Sequence, residues 1–382
     1  MLFFYLFALV PAIIGAILWV TKREIVLAEW LISVAIALVI SGAFHLIALH
    51  GMTGDTETWS GEILQTTFYP TWIEEYQVAI YTTVTHTDSK GNSYTTEEFS
   101  HYETRHRTHH EYWTVDCTVN GEVNVSQRVY NLVGEKFGGK IITTTPYKSG
   151  FDSGDRNVYH YENATGYIFP TTASRSFENR VKAAPSVFSF AKVPEDIKVF
   201  EYPKNSDMMN SDRLLGMAKG RINLLEFDRL NSNLGARKKV NIIMVGFPAG
   251  TPPINGDYQQ AAWFGGKKND LIICYAGEDK VEWSKVFGWT EREIVKRNLE
   301  TIVLSNPISD NLLPLIRDEV TRNYEIKDWS KFDYISIEVP LRYKITFIII
   351  MVLVQITCSY FFMNNDFEKL MSTPFSLKGR RL

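Results

Sequence analysis

Three long apolar runs stand out in the pattern of hydrophobic and polar positions, two at the start of the chain and one near its end. They lie at about 2–20, 28–49 and 345–363. A helix of about 20 apolar residues crosses the hydrocarbon core of a membrane. Pro11 would break a helix in water, but membrane helices tolerate proline. The pattern therefore predicts two transmembrane helices within residues 1–50 and a third at 341–363.

The first apolar run also fits a signal peptide that is removed after export. Two features favour a retained span instead. No lysine or arginine precedes the run, and no cleavage site of small residues lies before the second run.

Lysine and arginine close to membrane helices mark the cytoplasmic side. Lys22 and Arg23 occupy the first loop, and more cations follow the last span in the predicted cytoplasmic tail, 364–382: Lys369, Lys378, Arg380 and Arg381. These positions predict that residues 51–340 lie outside the cytoplasm, as the extracytoplasmic part of a bacterial inner-membrane protein. Arg342 and Lys344 argue in the opposite direction.

Residues 51–204 predict a β-rich module, because polar residues alternate with aromatic or β-branched ones over about 55–170. Tight turns are expected at Gly91 and at Asn120–Gly121. The stretches "YQVAIYTTVTH", "YWTVDCTV" and "NVSQRVYNLV" are predicted strands. Glycine, serine, aspartate and proline predict a loop over residues 143–157.

Residues 205–340 predict a mixed α/β module. A helix is expected from about Ser211, capped by Ser211 or Asn210, with an apolar face formed by Leu214, Leu215, Met217, Ile222, Leu225, Phe227 and Leu230. Strands are predicted at "KVNIIMVGF", "DLIICYAG" and "KVEWSKVFGW", and a short helix at "GDYQQAAWF".

Two more helices complete this module. "TEREIVKRNLETIVL" places Thr290 and Glu293 at capping-box spacing, which predicts a helix start. A further helix is expected over about 310–324, with Pro314 in its first turn. The elements predict an α+β fold: an N-terminal two-span transmembrane hairpin, an antiparallel β-rich module, a mixed α/β module and a C-terminal transmembrane helix.

The composition narrows the classes of partner. The formal net charge of the 382 residues is −3, with no basic excess, so no nucleic-acid partner is expected. The three cysteines cannot form a disulfide framework. Cys358 lies in an apolar run, which leaves Cys117 and Cys274 as a possible bridge, and the sequence does not decide whether they pair. The oligomeric state is equally open.

The stretch "SHYETRHRTHHEYWTVDC" holds the candidate metal ligands His101, His106, His109 and His110. On a helix, His106 and His110 would lie one turn apart and could share an ion. On a strand, alternate residues face the same side, so His106 and His110 would share one face and His101 and His109 the other. Zinc commonly needs four converging ligands, and the arginines in this stretch oppose metal binding.

The alternative is a solvated strand that carries histidines and holds no metal, and the sequence favours this alternative. A pH-sensitive interaction surface is a further interpretation, since histidine titrates near neutrality. Other chemistry is weakly indicated. "FGGKKNDLII" places its glycines and lysines before a strand, whereas a phosphate loop follows one. Three tryptophans are expected in a core or an interface: Trp263, Trp283 and Trp289.

The segments "KVNIIMVGFP", "YQQAAWF" and "GGKKNDLIICYAG", followed by a capped helix, resemble the strand–helix–strand order of TPM-type domains. The resemblance covers about a fifth of the chain and implies a membrane-tethered extracytoplasmic α/β module, of a kind that includes phosphatases and assembly or repair factors. The Arg-bearing segment that leads to Gly-Tyr-Gly in that family is replaced here by "EDKVEWSKVFGW". No catalytic residues are therefore carried over.

Most of the chain is similar to a family of uncharacterised membrane proteins from large tailed phages and bacteria. The resemblance rests on the paired N-terminal runs and on "DTETWSG" at Asp55, "NRVKAAPSVF" at Asn179, "GGKKNDLII" and "WSKVFGWTE" at Trp283. It implies a phage-related origin and a place in the membrane, and it implies no reaction.

Two functions are compatible with these observations. The first is a membrane-anchored extracytoplasmic interaction or scaffold protein of the cell envelope, whose partners are the lipid bilayer and other envelope proteins, with no catalytic residue and no cofactor. The second is a membrane-tethered, metal-dependent hydrolase of the TPM type, phosphatase-like and using zinc or calcium. The absence of a catalytic motif favours the first.

Overall fold

A computed structural model of the chain describes residues 2–7, 9–21, 27–149, 152–184, 187–188, 190–204, 208–209, 212–277, 280–337 and 339–364. The chain divides into two compact units. The first unit comprises residues 1–56, 176–192 and 328–382, and the second comprises 57–175 and 193–327. The module boundaries expected from the sequence, at 51, 205 and 341, stay predictions.

The helices and strands follow each other in this order: α1 (Leu2–Phe7), α2 (Leu9–Thr21), α3 (Leu27–Thr53), β1 (Gly54–Tyr69), β2 (Trp72–Thr87), β3 (Ser93–His109), β4 (Tyr112–Cys117), β5 (Gly121–Val125), α4 (Gln127–Phe137), β6 (Lys140–Ser149), β7 (Asp152–Glu162), β8 (Pro170–Glu178), β9 (Leu214–Gly216), α5 (Ala218–Arg221), α6 (Leu224–Lys238), β10 (Asn241–Phe247), α7 (Ile254–Ala262), β11 (Asp270–Ala276), β12 (Trp283–Gly288), α8 (Ile294–Ser305), α9 (Leu312–Asn323) and α10 (Leu341–Asn364).

Apolar helices form most of the first unit. Within the described residues, the segments Glu29–Thr53 of α3 and Leu341–Cys358 of α10 are long and apolar enough to cross a membrane. The rings of Phe4, Phe44 and Phe347 meet with centroids 5.0 to 5.3 Å apart, which holds α1, α3 and α10 together. The structure thus confirms apolar helices at both ends of the chain, and it supports membrane association by length and composition.

The first apolar run is helical in α1 and α2, and its role as a span stays a prediction. Lys22 and Arg23, which carry the orientation argument, lie outside the described residues, as do the cations of the C-terminal tail.

One sheet of the second unit is antiparallel, with strand order β5-β4-β1-β7-β6 and with β8 also paired to β1. A row of rings crosses its central strands, where Phe68 stacks on Trp113 at 5.4 Å and on Tyr159 at 5.9 Å. The predicted turn at Gly121 joins β4 to β5, and Gly121 adopts a φ of 63°, which glycine tolerates without strain.

The predicted strand "NVSQRVYNLV" is wrong, because most of this stretch forms α4. Ser126 caps the helix by accepting a hydrogen bond from the Val129 N–H. Tyr130, Val133 and Phe137 then fall at helical spacing and are buried against the sheet.

The loop predicted over 143–157 is also wrong, because β6 and β7 pair as a hairpin. The β-branched run "IITTT" favours a strand over a loop. Pro146 is compatible with this strand because β6 lies at the edge of its sheet. The residues that join the two strands, 150–151, lie outside the described residues.

The second sheet of this unit has the order β12-β11-β10-β9, with β9, β10 and β11 parallel and β12 antiparallel. Strands β10 and β11 are buried throughout. Side chains of α6, α8 and α9 cover one face, and Phe200, Tyr202 and Trp263 cover the other. The three predicted strands, the short helix α7 and helix α9 are confirmed, and the whole is a mixed α/β fold with antiparallel sheets.

Two helix starts differ from the expected ones. Leu214 and Leu215 belong to strand β9, because they pair with Met244 and Val245, and the helix begins only after Asn223. The Asn223 side chain caps it by accepting from two backbone N–H groups, whereas the expected caps, residues 210 and 211, lie outside the described residues.

The capping box expected at Thr290 is wrong as well. Helix α8 begins at Ile294 without a side-chain cap. The Thr290 hydroxyl instead donates to the carbonyl of Glu325 at 2.8 Å, a contact distant in the chain that the local sequence pattern does not encode.

Candidate functional site

The histidine-rich stretch forms one strand of a long hairpin, the β-arm, made of β2 and β3 (72–109). The two strands pair antiparallel from Trp72–His109 to Thr87–Ser93. Within the described residues they form a sheet of two strands. At about 3.4 Å per residue the arm is roughly 50 Å long. Sixteen of the seventeen residues of β3 are exposed, so the arm presents nearly a whole strand to solvent.

A rigid turn closes the tip of the β-arm. The Asp88 carboxylate accepts hydrogen bonds from the backbone N–H groups of Lys90 and Asn92, each at 2.8 Å. Gly91 supplies the positive φ of the turn, 85°, as the sequence predicts. The hydrogen bonds from Asn92 and Lys90 hold the pKa of Asp88 below its usual value, because they stabilise the ionised form.

The base of the β-arm is held by a stacked and hydrogen-bonded group. The His109 ring lies parallel to the Trp72 indole, with ring centroids 4.3 Å apart. His109 Nε2 is 2.6 Å from the carboxylate of Glu74, which is buried. The guanidinium of Arg156, from β7, covers Trp72 on the sheet side. This packing fixes the arm at its base, while β3 is exposed along nearly all of its length and β2 is half-buried at several positions.

An aromatic cluster occupies the middle of one face of the β-arm. Tyr81 pairs with Phe99 across the two strands, and Phe99 contacts Tyr102 with ring centroids 4.9 Å apart. Each of the three is more than half exposed, at 58%, 53% and 54%. Phe99 and Tyr102 are three positions apart and would face opposite sides of a regular strand. Because Ser100 is an extra residue, a bulge in β3, both rings lie on the face of Tyr81.

The four candidate metal ligands are spread along the β-arm. His101 and His109 lie on one face, about 27 Å apart along the strand by residue spacing, too far to share an ion. His106 lies on the other face, 3.5 Å from Glu75, and His110 follows the end of the strand. Within the described ranges, no three His, Cys, Asp or Glu side chains are close enough to hold a metal. A metal site on these histidines stays a prediction.

A second group of polar residues is buried in the interior of this unit. Asp270, at the start of β11, accepts hydrogen bonds from Asn241 Nδ2, the Lys267 N–H and the Tyr202 hydroxyl, each at 2.8 Å. Burial raises the pKa of Asp270, and the three donors act in the opposite direction. Because Asp270 is fully buried, this carboxyl has no path to a substrate in this conformation.

Arg213 is buried beside the same sheet. Its Nη1 donates to Ser60 Oγ at 2.7 Å and lies 3.8 Å from the Asp228 carboxylate. Burial lowers the pKa of Arg213, and the neighbouring Asp228 partly offsets that effect. Among described atoms, its Nε and Nη2 have no hydrogen-bond partner. Sequence reasoning missed this group, because Asp228, Arg213 and Ser60 are brought together only by the fold.

A cleft of about 840 Å³ lies between the loop at 165–168 and helices α6 and α9. Its charges are largely satisfied internally. The Arg229 guanidinium covers the Tyr167 ring at 4.8 Å and binds Glu226 at 2.7 Å, and Asp310 accepts the Asn223 N–H.

Two of the cysteines and two of the tryptophans singled out from the sequence are buried. Cys117 in β4 and Cys274 in β11 are buried free thiols in different sheets. Burial raises the pKa of Cys117 to about 11, so its thiol stays protonated at neutral pH. Trp263 and Trp283 are buried, which confirms their expected place in the core. The Trp289 indole N–H donates to the Gly266 carbonyl.

Among the described elements of the second unit, β3 of the β-arm therefore stands out as a long strand that is exposed along nearly its whole length. No protein-family profile, curated protein or solved structure matches the chain.

Proposed function

We propose that this protein is a membrane-anchored interaction protein of the cell envelope, and that the β-arm binds its partner. The anchoring part of the proposal is supported by α3 and α10, which are long and apolar enough to cross a membrane. The binding part is supported by the construction of the arm.

The observation that carries the proposal is the isolation of two long strands. A two-stranded hairpin is marginally stable in water, and a third strand or a packed face is usually needed. The β-arm extends about 16 residue pairs. Its base packs around Trp72 and Glu74, and β2 also contacts β6 and β7, whereas β3 is exposed along nearly all of its length. A partner that covers the rest would supply the missing packing.

The aromatic cluster supports the same conclusion. Single exposed apolar residues are ordinary on a protein surface, but aromatic residues that cluster are typical of interfaces. Tyr81, Phe99 and Tyr102 present large rings with few rotatable bonds, so that little entropy is lost when they bind. The cluster lies near the middle of the arm, where the centre of a binding surface is expected.

The location is part of the proposal. The cations beside the apolar runs predict that the second unit is extracytoplasmic. The likeness to membrane proteins of large tailed phages suggests a phage-related chain that acts at the bacterial inner membrane. Other envelope proteins would then be the available partners.

Site-specific photo-crosslinking in intact cells tests the proposal. A photoreactive amino acid replaces Tyr81 in one strain and Tyr334 in a control strain, where Tyr334 is 78% exposed and lies outside the arm. We expect a covalent protein adduct from position 81 and none from position 334. Adducts from neither position, or equal adducts from both, would contradict a specific role of the arm.

The alternative is a membrane-tethered, metal-dependent hydrolase of the TPM type. Its support is the order strand β10, helix α7 and strand β11, followed by helix α8, within a buried sheet. This alternative expects the purified chain to bind zinc or calcium at a one-to-one ratio and to cleave a generic phosphoester. A preparation that does neither, at millimolar zinc or calcium, would exclude it.

A further inference from the structure

The outer edge of β3 is suited to pair with the same edge of a second copy of this chain. On the basis of the proposed function, we infer that two β-arms join through their β3 strands, antiparallel about a twofold axis at Tyr102, into a four-stranded sheet. Three features of β3 support this pairing: its free edge, its charge order and the position of its bulge.

Among the described residues, no strand pairs with the outer edge of β3. Within the described residues its pairing partner is β2 alone, so every second N–H and C=O group points away from the hairpin. Proteins commonly protect such edges with charged side chains, above all lysine, with proline or with bulges. Strand β3 contains no lysine or proline, and its charges and its bulge are the features that the pairing below uses. Open edges of this kind pair readily with another strand.

The charges of β3 are unevenly divided by sign. Its first half carries Glu97 and Glu98, and its second half carries Arg105, His106 and Arg107 beside a single acid, Glu103. When a strand pairs antiparallel with a copy of itself, the first half of each lies against the second half of the other. The acidic half of one arm therefore meets the basic half of the other, and cross-strand pairs of opposite charge are favourable.

The bulge at Ser100 selects the register. Residues directly opposite each other must share a face of the sheet. Because Ser100 is an extra residue, Glu98 shares a face with Arg105, and Glu97 shares the other face with His106. A twofold axis at Tyr102, with Ser100 of each strand bulged out of the pairing, places both pairs in direct opposition. It places Glu103 opposite His101 rather than opposite another acid.

The contacts that these groups make within one chain do not prevent the pairing. Glu98 lies 3.1 Å from His86, and Arg105 lies 2.9 Å from Glu103. All of these side chains are more than a third exposed. Exposed ion pairs contribute little to stability and rearrange at small cost.

Charge reversal tests the inference on the full-length chain in detergent. Residue 98 of each chain faces residue 105 of the other, so a dimer contains this pair twice. In a dimer of Glu98→Arg both pairs join two arginines, and in a dimer of Arg105→Glu both pairs join two glutamates. Mixing the two variants restores two opposite-charge pairs in each mixed dimer. We expect the parent to have the mass of two chains by light scattering corrected for detergent. Each variant alone should dissociate into single chains at a protein concentration about tenfold higher than the parent does. An equal mixture of the two variants should recover the parent mass.

The mixing step separates a broken interface from a misfolded variant, because a misfolded chain is not rescued by its reciprocal partner. A parent with the mass of one chain would overturn the inference, as would variants that each dimerise as well as the parent. In both cases a crosslink from Tyr81 to another protein would leave the proposed function standing. Conversely, a dimer with recovery on mixing, but with no adduct to a different protein, would limit the function of the arm to self-association.

Discussion

A Cβ atom placed on Gly235 would lie 2.2 Å from the carbonyl oxygen of Ser60 and 2.7 Å from its nitrogen. Helix α6 and strand β1 therefore meet backbone to backbone. Strand β1 belongs to the antiparallel sheet and α6 packs on the mixed sheet, so the close approach joins the two sheets within one unit. Arg213 adds a hydrogen bond to the Ser60 hydroxyl at the same place.

Gly235→Ala tests this approach. Alanine normally stabilises a helix by about 1 kcal/mol relative to glycine. Here the added methyl group would force the Ser60 backbone away, at a cost of about 1–3 kcal/mol. We expect a lower melting temperature by circular dichroism in detergent.

Gly220→Ala is the matched control, since a Cβ there meets no atom within 4 Å. This variant should melt at the parent temperature or above it. A Gly235→Ala protein as stable as Gly220→Ala would show that α6 and β1 do not pack this closely.

Elements with local determinants were predictable from the sequence. The continuous apolar runs "NIIMVGF" and "DLIICYA" are buried strands because each is flanked on both faces by helices or by aromatic segments. The tip of the β-arm was predictable because Gly91 supplies a conformation that other residues avoid.

Elements with distant determinants were not predictable. Leu214 and Leu215 form a strand only because β10 lies beside them, and the same residues also fit a helical pattern. In α4 the valines are four residues apart, which is compatible with the period of a strand and with that of a helix. The Ser126 cap stabilises the helix. The aromatic cluster of the β-arm depends on the bulge at Ser100, which shifts the alternation without a local sign in the sequence.

Asp270→Asn should reveal the cost of a buried acid. Burial raises the pKa of Asp270, so the folded state holds this proton more tightly than the unfolded state does. The stability contributed by the group is complete below about pH 4, the pKa of an exposed aspartate, and declines as the pH rises through the folded-state pKa. Asparagine cannot ionise. The melting temperature of Asp270→Asn relative to the parent should therefore rise between pH 4 and pH 8.

Asp88→Asn is the control for this series. The pKa of Asp88 in the parent is lowered, so Asp88 contributes more stability as the pH rises. The melting temperature of Asp88→Asn relative to the parent should therefore not rise between pH 4 and pH 8. If the difference between Asp270→Asn and the parent is the same at pH 4 and pH 8, the buried carboxyl does not have a raised pKa.

The histidines can be tested for metal directly. The structure spreads His101, His106 and His109 over both faces of β3, so we expect less than one zinc per chain in protein purified without chelator. The double variant His106→Ala/His110→Ala should have the same zinc content by elemental mass spectrometry. One zinc per parent chain that is lost in the double variant would establish the metal site that the sequence suggested.

The membrane topology gives the last prediction. The proposed topology of three spans predicts that a reporter fused after residue 150 lies outside the cytoplasm and one fused after residue 380 lies inside it. The basis is that Lys22, Arg23 and the tail cations mark the cytoplasmic side. We expect alkaline phosphatase to be active at the first position and a cytoplasmic fluorescent protein to be active at the second. Exchanging Lys22 and Arg23 for glutamate should make the orientation of the two reporters less uniform. The same exchange at Lys90 and Arg105 in the β-arm is the control and should leave the orientation unchanged, because these residues lie far along the chain from any predicted span. Both reporters on one side would mean that α3 and α10 do not enclose a single extracytoplasmic segment.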